Sequence, residues 1–361
     1  ANDTETDGGV DAGNDAEPTI DPCANVNAIR ATCQALPERF DASTTLAKGC
    51  YHAAKTPVLG PNVTLTVSPG TTLIFADETS LDVGETTSLV AAGTRAEPIC
   101  FTSDKAQRGA WRGLTLGRTE GGDHKLDWVT IEYAGSTKSD SKAAAIKLES
   151  DSRAVRFSLT NSTIRESEGF GLYLIASGQA NAFAANTFTK NTLGPASVDS
   201  EVVRQLDSAS KYTGNDRDEV TVRTNRIVTA GAWKAIGVPF HLSGNLNVDA
   251  AWTLEAPNTV IIPPDSWVSI NGDNAALHAV GTAAQPILFT GETKTRGSYI
   301  GLVFDGTMNL ANQLEFVTVE YGGSTAHDKD GAAVKAIADS HGVTLNFANV
   351  TVRESEGYGV Y

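Results

Sequence analysis

The sequence predicts an all-β solenoid, in which the chain winds repeatedly round one axis in short strands, with a short helical cap at its start. The first observation is a set of apolar pairs spaced two residues apart, the alternation of a β-strand with one buried face. The pairs recur at nearly constant intervals, at Leu65/Val67, Leu73/Phe75, Leu81/Val83, Leu89/Ala91, Trp252/Leu254, Val260/Ile262 and Val268/Ile270. Turn-forming stretches such as "SPGT" and "GETT" separate them. This regularity favours a coiling chain over a sandwich of hairpins.

The second observation is a tandem duplication with a step of 188 residues. The phrase "TIRESEGFGLY" at 163–173 returns as "TVRESEGYGVY" at 351–361. No gap is needed between 126–173 and 314–361, and about half of the positions are identical. We therefore predict a solenoid over 46–361, built from a first repeat (46–233) and an incomplete second repeat (234–361), and we expect the natural chain to continue.

The first 21 residues differ in composition from the rest. From Asp3 to Asp21 there are seven acidic residues and neither Lys nor Arg, and the segment has no aromatic residue. Such a composition predicts a flexible acidic linker over 1–21, because it offers too little apolar surface to offset the entropy of ordering. A calcium-binding loop is the alternative, with cation ligands at Asp3, Glu5, Asp7 and Asp11. The match is partial because Asn14 stands where an EF-hand loop needs Glu.

Residues 22–45 predict an N-terminal cap held by a disulfide. Asp21 and Pro22 are helix-start signals, and Val26, Ile29 and Cys33 follow at helical spacing. The absence of a C-x-x-C spacing favours two disulfides in an oxidising compartment over a zinc site for the four cysteines, Cys23, Cys33, Cys50 and Cys100. Three pairings are open, and we expect Cys23–Cys33 with Cys50–Cys100.

Charge and hydropathy narrow the classes of partner. The net charge of −15 argues against nucleic acid, which needs a basic surface. No run of about 18 apolar residues occurs, so no membrane span is predicted. The sequence starts at Ala1 rather than Met, as a processed, exported protein would.

Several segments resemble right-handed parallel β-helix proteins of bacterial surfaces, including exported lipoproteins with acidic linkers. They are "SPGTTLIF" at 68–75, "GTRAEPICFTS" at 93–103, "WRGLTL" at 111–116, "LDWVTIEYAGS" at 126–136 and "NAFAANTF" at 181–188. The resemblance covers about 46–361 and implies the pectate-lyase-like fold. It also implies a location outside the cell or on the outer surface of a bacterium, with an N-terminal lipid anchor in the natural protein as a further expectation. Polysaccharide lyases and glycoside hydrolases share this fold, so the fold alone does not decide the activity.

The charged phrase inside the duplication is the first candidate for a site. A binding interpretation takes the carboxylates and guanidinium groups as contacts to a glycan or an ion, at Arg165, Glu166 and Glu168 and again at Arg353, Glu354 and Glu356. A structural interpretation places them at a strand edge and turn, where Arg and Glu pair between coils. The repetition favours the structural interpretation, because an enzyme rarely needs two copies of its site.

Two further glutamates, Glu132 and Glu320, precede Tyr133 and Tyr321 in "EYAGS" and "EYGGS". Strand alternation turns the glutamates outward and the tyrosines inward, so the glutamates are candidate binding residues and the tyrosines are expected to be buried.

No catalytic residues are predicted. The Asn-x-Asp, Asp-Asp, Gly-His-Gly and Arg-x-Lys signatures of hydrolases with this fold do not occur as a set, and of the two acids Asp328 and Asp330 only the first has a counterpart in the first repeat, Asp140. The leading hypothesis is an exported, non-enzymatic β-helix of the bacterial cell surface that binds a polysaccharide or a surface protein, without a cofactor unless calcium binds. The alternative is a lyase or hydrolase that acts on an acidic polysaccharide. A purely structural spacer is a third class.

Overall fold

The chain forms a parallel β-helix, which confirms the predicted fold class. In the computed structural model the described residues are 20–361, except for 85, 118–122, 139, 150–152, 224–225, 327 and 339–341. Residues 1–19 of the predicted linker, with the calcium candidates Asp3, Glu5, Asp7 and Asp11, lie outside the described residues. Throughout the described part of the chain, neighbouring strands pair in parallel and come from successive coils. None of the described helices is long and apolar enough to cross a membrane.

The cap and the first repeat contain one α-helix, two 3₁₀ segments (Arg30–Thr32 and Ser200–Gln205) and twenty strands among the described residues. Their bounds are α1 (Val26–Ile29), β1 (Gln34–Ala35), β2 (Arg39–Phe40), β3 (Thr44–Leu46), β4 (Cys50–Ala53), β5 (Val58–Leu59), β6 (Thr64–Val67), β7 (Thr72–Phe75), β8 (Ser80–Val83), β9 (Ser88–Ala92), β10 (Ile99–Ser103), β11 (Gly113–Leu116), β12 (His124–Asp127), β13 (Val129–Glu132), β14 (Ala144–Leu148), β15 (Val155–Thr160), β16 (Thr163–Arg165), β17 (Phe170–Leu174), β18 (Gly178–Ala184), β19 (Thr187–Thr189) and β20 (Gly194–Asp199).

The junction and the second repeat contain the remaining described strands. Their bounds are β21 (Val220–Arg223), β22 (Arg226–Ile227), β23 (Gly231–Trp233), β24 (Phe240–Leu242), β25 (Leu246–Val248), β26 (Ala251–Leu254), β27 (Asn258–Ile262), β28 (Trp267–Asn271), β29 (Ala276–Val280), β30 (Ile287–Gly291), β31 (Gly301–Asp305), β32 (Gln313–Glu315), β33 (Val317–Glu320), β34 (Ala332–Ile337), β35 (Asn346–Ala348), β36 (Thr351–Arg353) and β37 (Tyr358–Val360).

The strands stack into five long sheets and the short pair β2-β5. In the first repeat, sheet 1 has the order β1-β4-β7-β10-β13-β16-β19 and sheet 3 has the order β3-β6-β9-β12-β15-β18. In the second repeat, sheet 4 has the order β22-β25-β28-β31-β34-β37 and sheet 5 has the order β23-β26-β29-β32-β35. Sheet 2 belongs to both repeats, in the order β8-β11-β14-β17-β20-β21-β24-β27-β30-β33-β36.

The two repeats are offset by one face of the β-helix. Strand β10 lies in sheet 1, whereas its counterpart β30, 188 residues later, lies in sheet 2. The offset arises at residues 200–219, because β20 and β21 are neighbours in sheet 2 although this connection separates them in sequence. Within the connection, only the bridge between Thr187 and Lys211 continues the sheet pattern among the described residues. Repeated motifs of the sequence therefore lie on different faces.

The core is a continuous stack of apolar side chains inside the coils. One inward ladder follows sheet 2 from strand to strand in register and has at most 1% exposure over Leu81, Leu114, Ile146, Leu172, Ala196, Val220, Phe240, Val260, Phe289 and Val319. Full burial of such a side chain contributes about 1.5–3 kcal/mol. The strand alternation read in the sequence thus marks the residues that fill the interior.

A polar ladder also runs inside the turns. The side chain of Asn191 accepts a hydrogen bond from the Ser167 N–H (3.1 Å), and Asn215 accepts one from the Asn191 N–H (3.1 Å). These residues stand 24 positions apart, the length of one coil at this place. The amide of Asn191 also donates to the Ile164 carbonyl (3.2 Å), so the buried polar side chain has its partners.

The N-terminal segment lies against sheet 1 as a strap, defined here as residues 20–33. The predicted helix is present but short, since α1 ends at Ile29 and continues as a 3₁₀ turn. The predicted disulfide pairing is wrong, because the bonds are Cys23–Cys100 and Cys33–Cys50.

The sheet register explains this correction. Cys50 and Cys100 both lie beside Thr72, on strands two positions apart in sheet 1. Strands spaced at about 4.8 Å place these two cysteines roughly 10 Å apart. A disulfide needs Cα atoms within about 7 Å, so each cysteine of the sheet pairs with the strap instead.

Candidate functional site

The glutamate and arginine candidates of sheet 1 form a partly buried ion pair between two coils. Glu132 ends β13 beside Arg165 at the end of β16, in register. The Glu132 carboxylate, 4% exposed as a residue, accepts from the Thr102 hydroxyl (2.8 Å) and from two nitrogens of Arg165 (2.7 and 2.8 Å). Arg165 also contacts the carboxylate of Asp21 on the strap (2.9 Å). Burial opposes the charge of Arg165, but the two carboxylates outweigh it and raise the pKa of this guanidinium.

The second repeat has the same pair on sheet 2. Glu320, 6% exposed, accepts from the Thr290 hydroxyl (3.0 Å) and from Arg353 (2.6 and 2.7 Å). The side chain of Arg353 is 61% exposed, against 26% for Arg165. Two elements cover Arg165, namely the strap and Thr189 on the following coil, which pairs with it in sheet 1.

The next glutamates stand in a left-handed turn at the strand end. Glu166 and Glu354 have φ angles of 54° and 53°. Glu166 is paired with Arg108 (3.0 Å) and Lys190 (3.2 Å), and Glu354 is paired with the equivalent Arg296 (3.0 Å). These carboxylates hold together loops of different coils.

Glu168 and Glu356 bind backbone groups one coil earlier. Their carboxylates accept from the N–H groups of Thr137 and Thr325, each at 2.8 Å. Within each repeat the two glutamates therefore have different partners, an ion pair for the first and a backbone N–H group for the second. Each of the eight charged candidates has a defined intramolecular partner in the structure. A binding role for them stays a prediction.

The tyrosines that follow Glu132 and Glu320 differ from expectation. Tyr133 and Tyr321 are half-buried, with φ angles of 60° and 65°. The positive φ ends the strand alternation after the glutamate, so the ring no longer continues the inward row.

A polar groove of about 390 Å³ lies on the outward face of sheet 2 in the first repeat. Three strands, β8, β11 and β14, form its floor with the in-register row Asp82, Thr115 and Lys147. The groove is lined by Ser80, Asp82, Arg112, Thr115, Ser136, Asp140, Ala144, Lys147 and Glu149. The lining thus offers two cations, three carboxylates and three hydroxyls.

Lys147 is the most enclosed charge of the groove, with 17% of its side chain exposed. Its ammonium group lies 2.6 Å from an Asp140 oxygen and 3.3 Å from a Glu149 oxygen. Burial disfavours the ammonium, but these two carboxylates outweigh it and raise the pKa of Lys147. Burial acts on Asp140 in the opposite sense, yet Lys147 and the Lys142 N–H lower the pKa of Asp140 below its ordinary value. Both groups are therefore charged at neutral pH.

The second repeat keeps only part of this groove. Its row on sheet 4 is Ser269, Val303 and Lys335, in the same register. The ion pair of Lys335 with Asp328 repeats that of Lys147 with Asp140. Isoleucines replace two charged residues, Ile300 for Arg112 and Ile337 for Glu149. The groove of the first repeat is therefore distinguished by residues that differ between the repeats. These groove residues can be found in the sequence by aligning the two repeats and looking for the charged positions that differ.

The described residues contain one group of three side chains with metal-ligand geometry, Cys23, Cys100 and Glu132. The two sulfurs are joined in a disulfide and are not thiolates, so this group does not suit a metal ion.

The comparisons with known proteins agree with the fold. Residues 233–337 match the family model of the pectate-lyase like beta helix domain. Neither the curated proteins nor the solved structures contain a match to the chain. The match spans most of the second repeat, and the duplication relates the first repeat to it. The chain is thus a parallel β-helix whose second repeat is similar to the pectate-lyase-like β-helix domain.

Proposed function

We propose that the protein is an exported, non-enzymatic β-helix of the bacterial cell surface that binds a polysaccharide in the groove of the first repeat. The observation that carries the proposal is the polar row Asp82, Thr115 and Lys147 with Glu149 and Arg112 beside it. Sugar hydroxyls both donate and accept hydrogen bonds, and carboxylates, hydroxyls and cations placed along a rigid sheet complement them. The disulfides support an oxidising location outside the cell.

The protonation states of Lys147 and Asp140 argue against two particular catalytic roles for these side chains. A lysine that acts as the base of a lyase must be unprotonated, whereas the raised pKa of Lys147 keeps this side chain protonated. A hydrolase needs a carboxylic acid that is still protonated, whereas the lowered pKa of Asp140 keeps this side chain ionised. The match to the pectate-lyase-like domain suits binding and cleavage equally, because one fold hosts both.

The test combines a glycan array with a reducing-end release assay on the intact chain. We expect binding of at least one polysaccharide without release of oligosaccharides. The double variant Arg112→Ile with Glu149→Ile, which installs the residues of the second repeat, should weaken binding about tenfold or more through the loss of charged hydrogen bonds.

The matched control is Lys335→Ala, which changes the repeated lysine in the second repeat and should leave binding unchanged. Release of oligosaccharides by the unmodified chain would support the alternative, a lyase or hydrolase for acidic polysaccharides. Equal binding by the double variant and the unmodified chain would remove the groove from the proposal.

A further inference from the structure

The two ends of the strap are held on the first repeat by ion pairs. Near one end, Asp21 forms two hydrogen bonds with one nitrogen of Arg165, at 2.9 and 3.1 Å. Near the other end, Arg30 contacts Asp104 through its carboxylate (2.9 Å) and its carbonyl (2.7 Å). His52 holds the same Asp104 carboxylate at 3.0 Å. An acid and a base of the strap therefore meet opposite charges on sheet 1.

Between these ends the strap buries apolar surface. Cys23 and Val26 pack on Ile74 and Cys100, the outward side chains of β7 and β10. Ile74 and Cys100 have no exposed surface although they point away from the interior of the coils. The strap is therefore an amphipathic ligand, with the order acidic, apolar and basic along the chain.

The second repeat presents the same receptor pattern on sheet 2. Arg353 with Glu320 stands where Arg165 with Glu132 stands in the first repeat. Glu292 replaces Asp104 and lies 3.6 Å from His241, in the register position of His52. Lys294 stands where the first repeat has Ala106, and its ammonium group lies 5.5 Å from the Tyr321 ring centroid.

The apolar middle of this pattern is also present, and it is less covered than in the first repeat. Ile261 and Leu288 occupy the positions of Ile74 and Cys100 on the outward face. Both are half-buried, whereas their counterparts beneath the strap are fully buried.

We propose that this face of the second repeat docks a strap-like segment of a partner polypeptide. The docking face is defined by His241, Ile261, Leu288, Glu292, Lys294 and Arg353. The partner segment carries an acidic residue, then apolar residues, then a basic residue about nine positions later, as Asp21 and Arg30 do in the strap. The acidic residue meets Arg353 and Lys294, the apolar residues meet Ile261 and Leu288, and the basic residue meets Glu292.

A cysteine-trapping experiment tests this docking directly. The peptide with the sequence of residues 20–32 contains Cys23 and is incubated with the full-chain Leu288→Cys variant in a glutathione buffer. The first repeat already has a cysteine at this position, so the variant is compatible with the fold. Docking in the orientation of the strap raises the effective concentration of the two thiols, and intact-mass spectrometry should show about tenfold more mixed disulfide than in a Leu310→Cys control.

The charges of the peptide and the docking face provide the specific controls. Peptide Asp21→Asn, peptide Arg30→Gln and protein Glu292→Gln should each lower the yield by about two- to fivefold, the range of an exposed ion pair. The pair of peptide Arg30→Glu with protein Glu292→Arg should restore it. Equal yields at Leu288→Cys and Leu310→Cys, or yields that ignore all the charge changes, would overturn the proposal.

Discussion

Glu132 and Glu320 show how buried carboxylates between two coils are supplied with partners. Each accepts from a threonine hydroxyl and from an arginine of the next coil. A buried carboxylate without such partners carries a large desolvation cost, so glutamate and arginine act as a unit at both places. The charged phrase thus makes the same contact between coils in both repeats.

Glycine is needed at position 109 because the side chain of Glu168 packs directly against this turn. Gly109 has a φ of 72°, and a Cβ there would stand 2.2 Å from a carboxylate oxygen of Glu168. Gly109→Ala should destabilise the protein by about 2–4 kcal/mol, because backbone strain of about 1–2 kcal/mol is joined by loss of the Glu168 contact. Gly237→Ala, with a φ of 80° and no atom within 4 Å of the Cβ, should cost only the strain. Denaturant titrations that give equal losses for both variants would contradict the account.

The Asp140–Lys147 pair predicts a pH dependence of stability. Because the folded state lowers the pKa of Asp140 below 3.8, its contribution is fully present above that pH and is lost as the pH falls through the folded value. The melting temperature of the unmodified chain should therefore exceed that of Asp140→Asn near neutral pH. The difference should shrink as the pH falls below 3.8, and a difference that grows toward acid would contradict the assignment.

At the scale of elements, the strands and the cap follow from local patterns, and the disulfides do not. The alternation of apolar and polar residues, as at Leu65 and Val67, is enough to predict which side chains of a strand face the interior. The pairing of Cys23 with Cys100 depends on which strands neighbour each other in sheet 1. That neighbourhood is set by the length of each coil, which sequence spacing did not resolve.

The two disulfides should differ in their contribution to stability. Cys23–Cys100 closes 77 residues, whereas Cys33–Cys50 closes 17. In the chain-entropy model, removing the longer link costs about 1 kcal/mol more. We expect Cys23→Ser with Cys100→Ser to lower the unfolding midpoint in urea further than Cys33→Ser with Cys50→Ser. The first variant should also open the strap to protease cleavage near Arg30.

For the whole molecule, the offset between the repeats places equivalent residues on different faces. The sequence shows the duplication plainly, but the step of 188 residues does not predict which face of the β-helix each copy occupies. The connection at 200–219 determines this, and it has no strand among its residues. The motif analysis of the sequence missed the groove for a related reason, because two of its charged residues, Arg112 and Glu149, are replaced by isoleucines in the other repeat.

The continuous core of sheet 2 predicts that the repeats unfold together. Phe240 lies at the junction, fully buried and 5.1 Å from Trp233 between ring centroids. Phe240→Ala should cost about 3–5 kcal/mol. For this variant, hydrogen-exchange mass spectrometry at increasing urea concentration should show that both repeats lose protection at the same urea midpoint, which lies below that of the unmodified chain. Phe347→Ala, a change at an exposed side chain, should change this urea midpoint little. A lowered midpoint in one repeat alone would contradict a shared core.

The central proposal is that the repeated pairs Glu132–Arg165 and Glu320–Arg353 hold the coils together, while Arg112 and Glu149, which are charged only in the first repeat, contribute to binding the polysaccharide. The most direct test is a calorimetric titration of the bound polysaccharide into two matched variants, Glu132→Gln and Glu149→Gln. The account predicts an unchanged dissociation constant for Glu132→Gln and an increase of about tenfold for Glu149→Gln, through loss of a charged hydrogen bond. An increase for Glu132→Gln with unchanged binding for Glu149→Gln would contradict it.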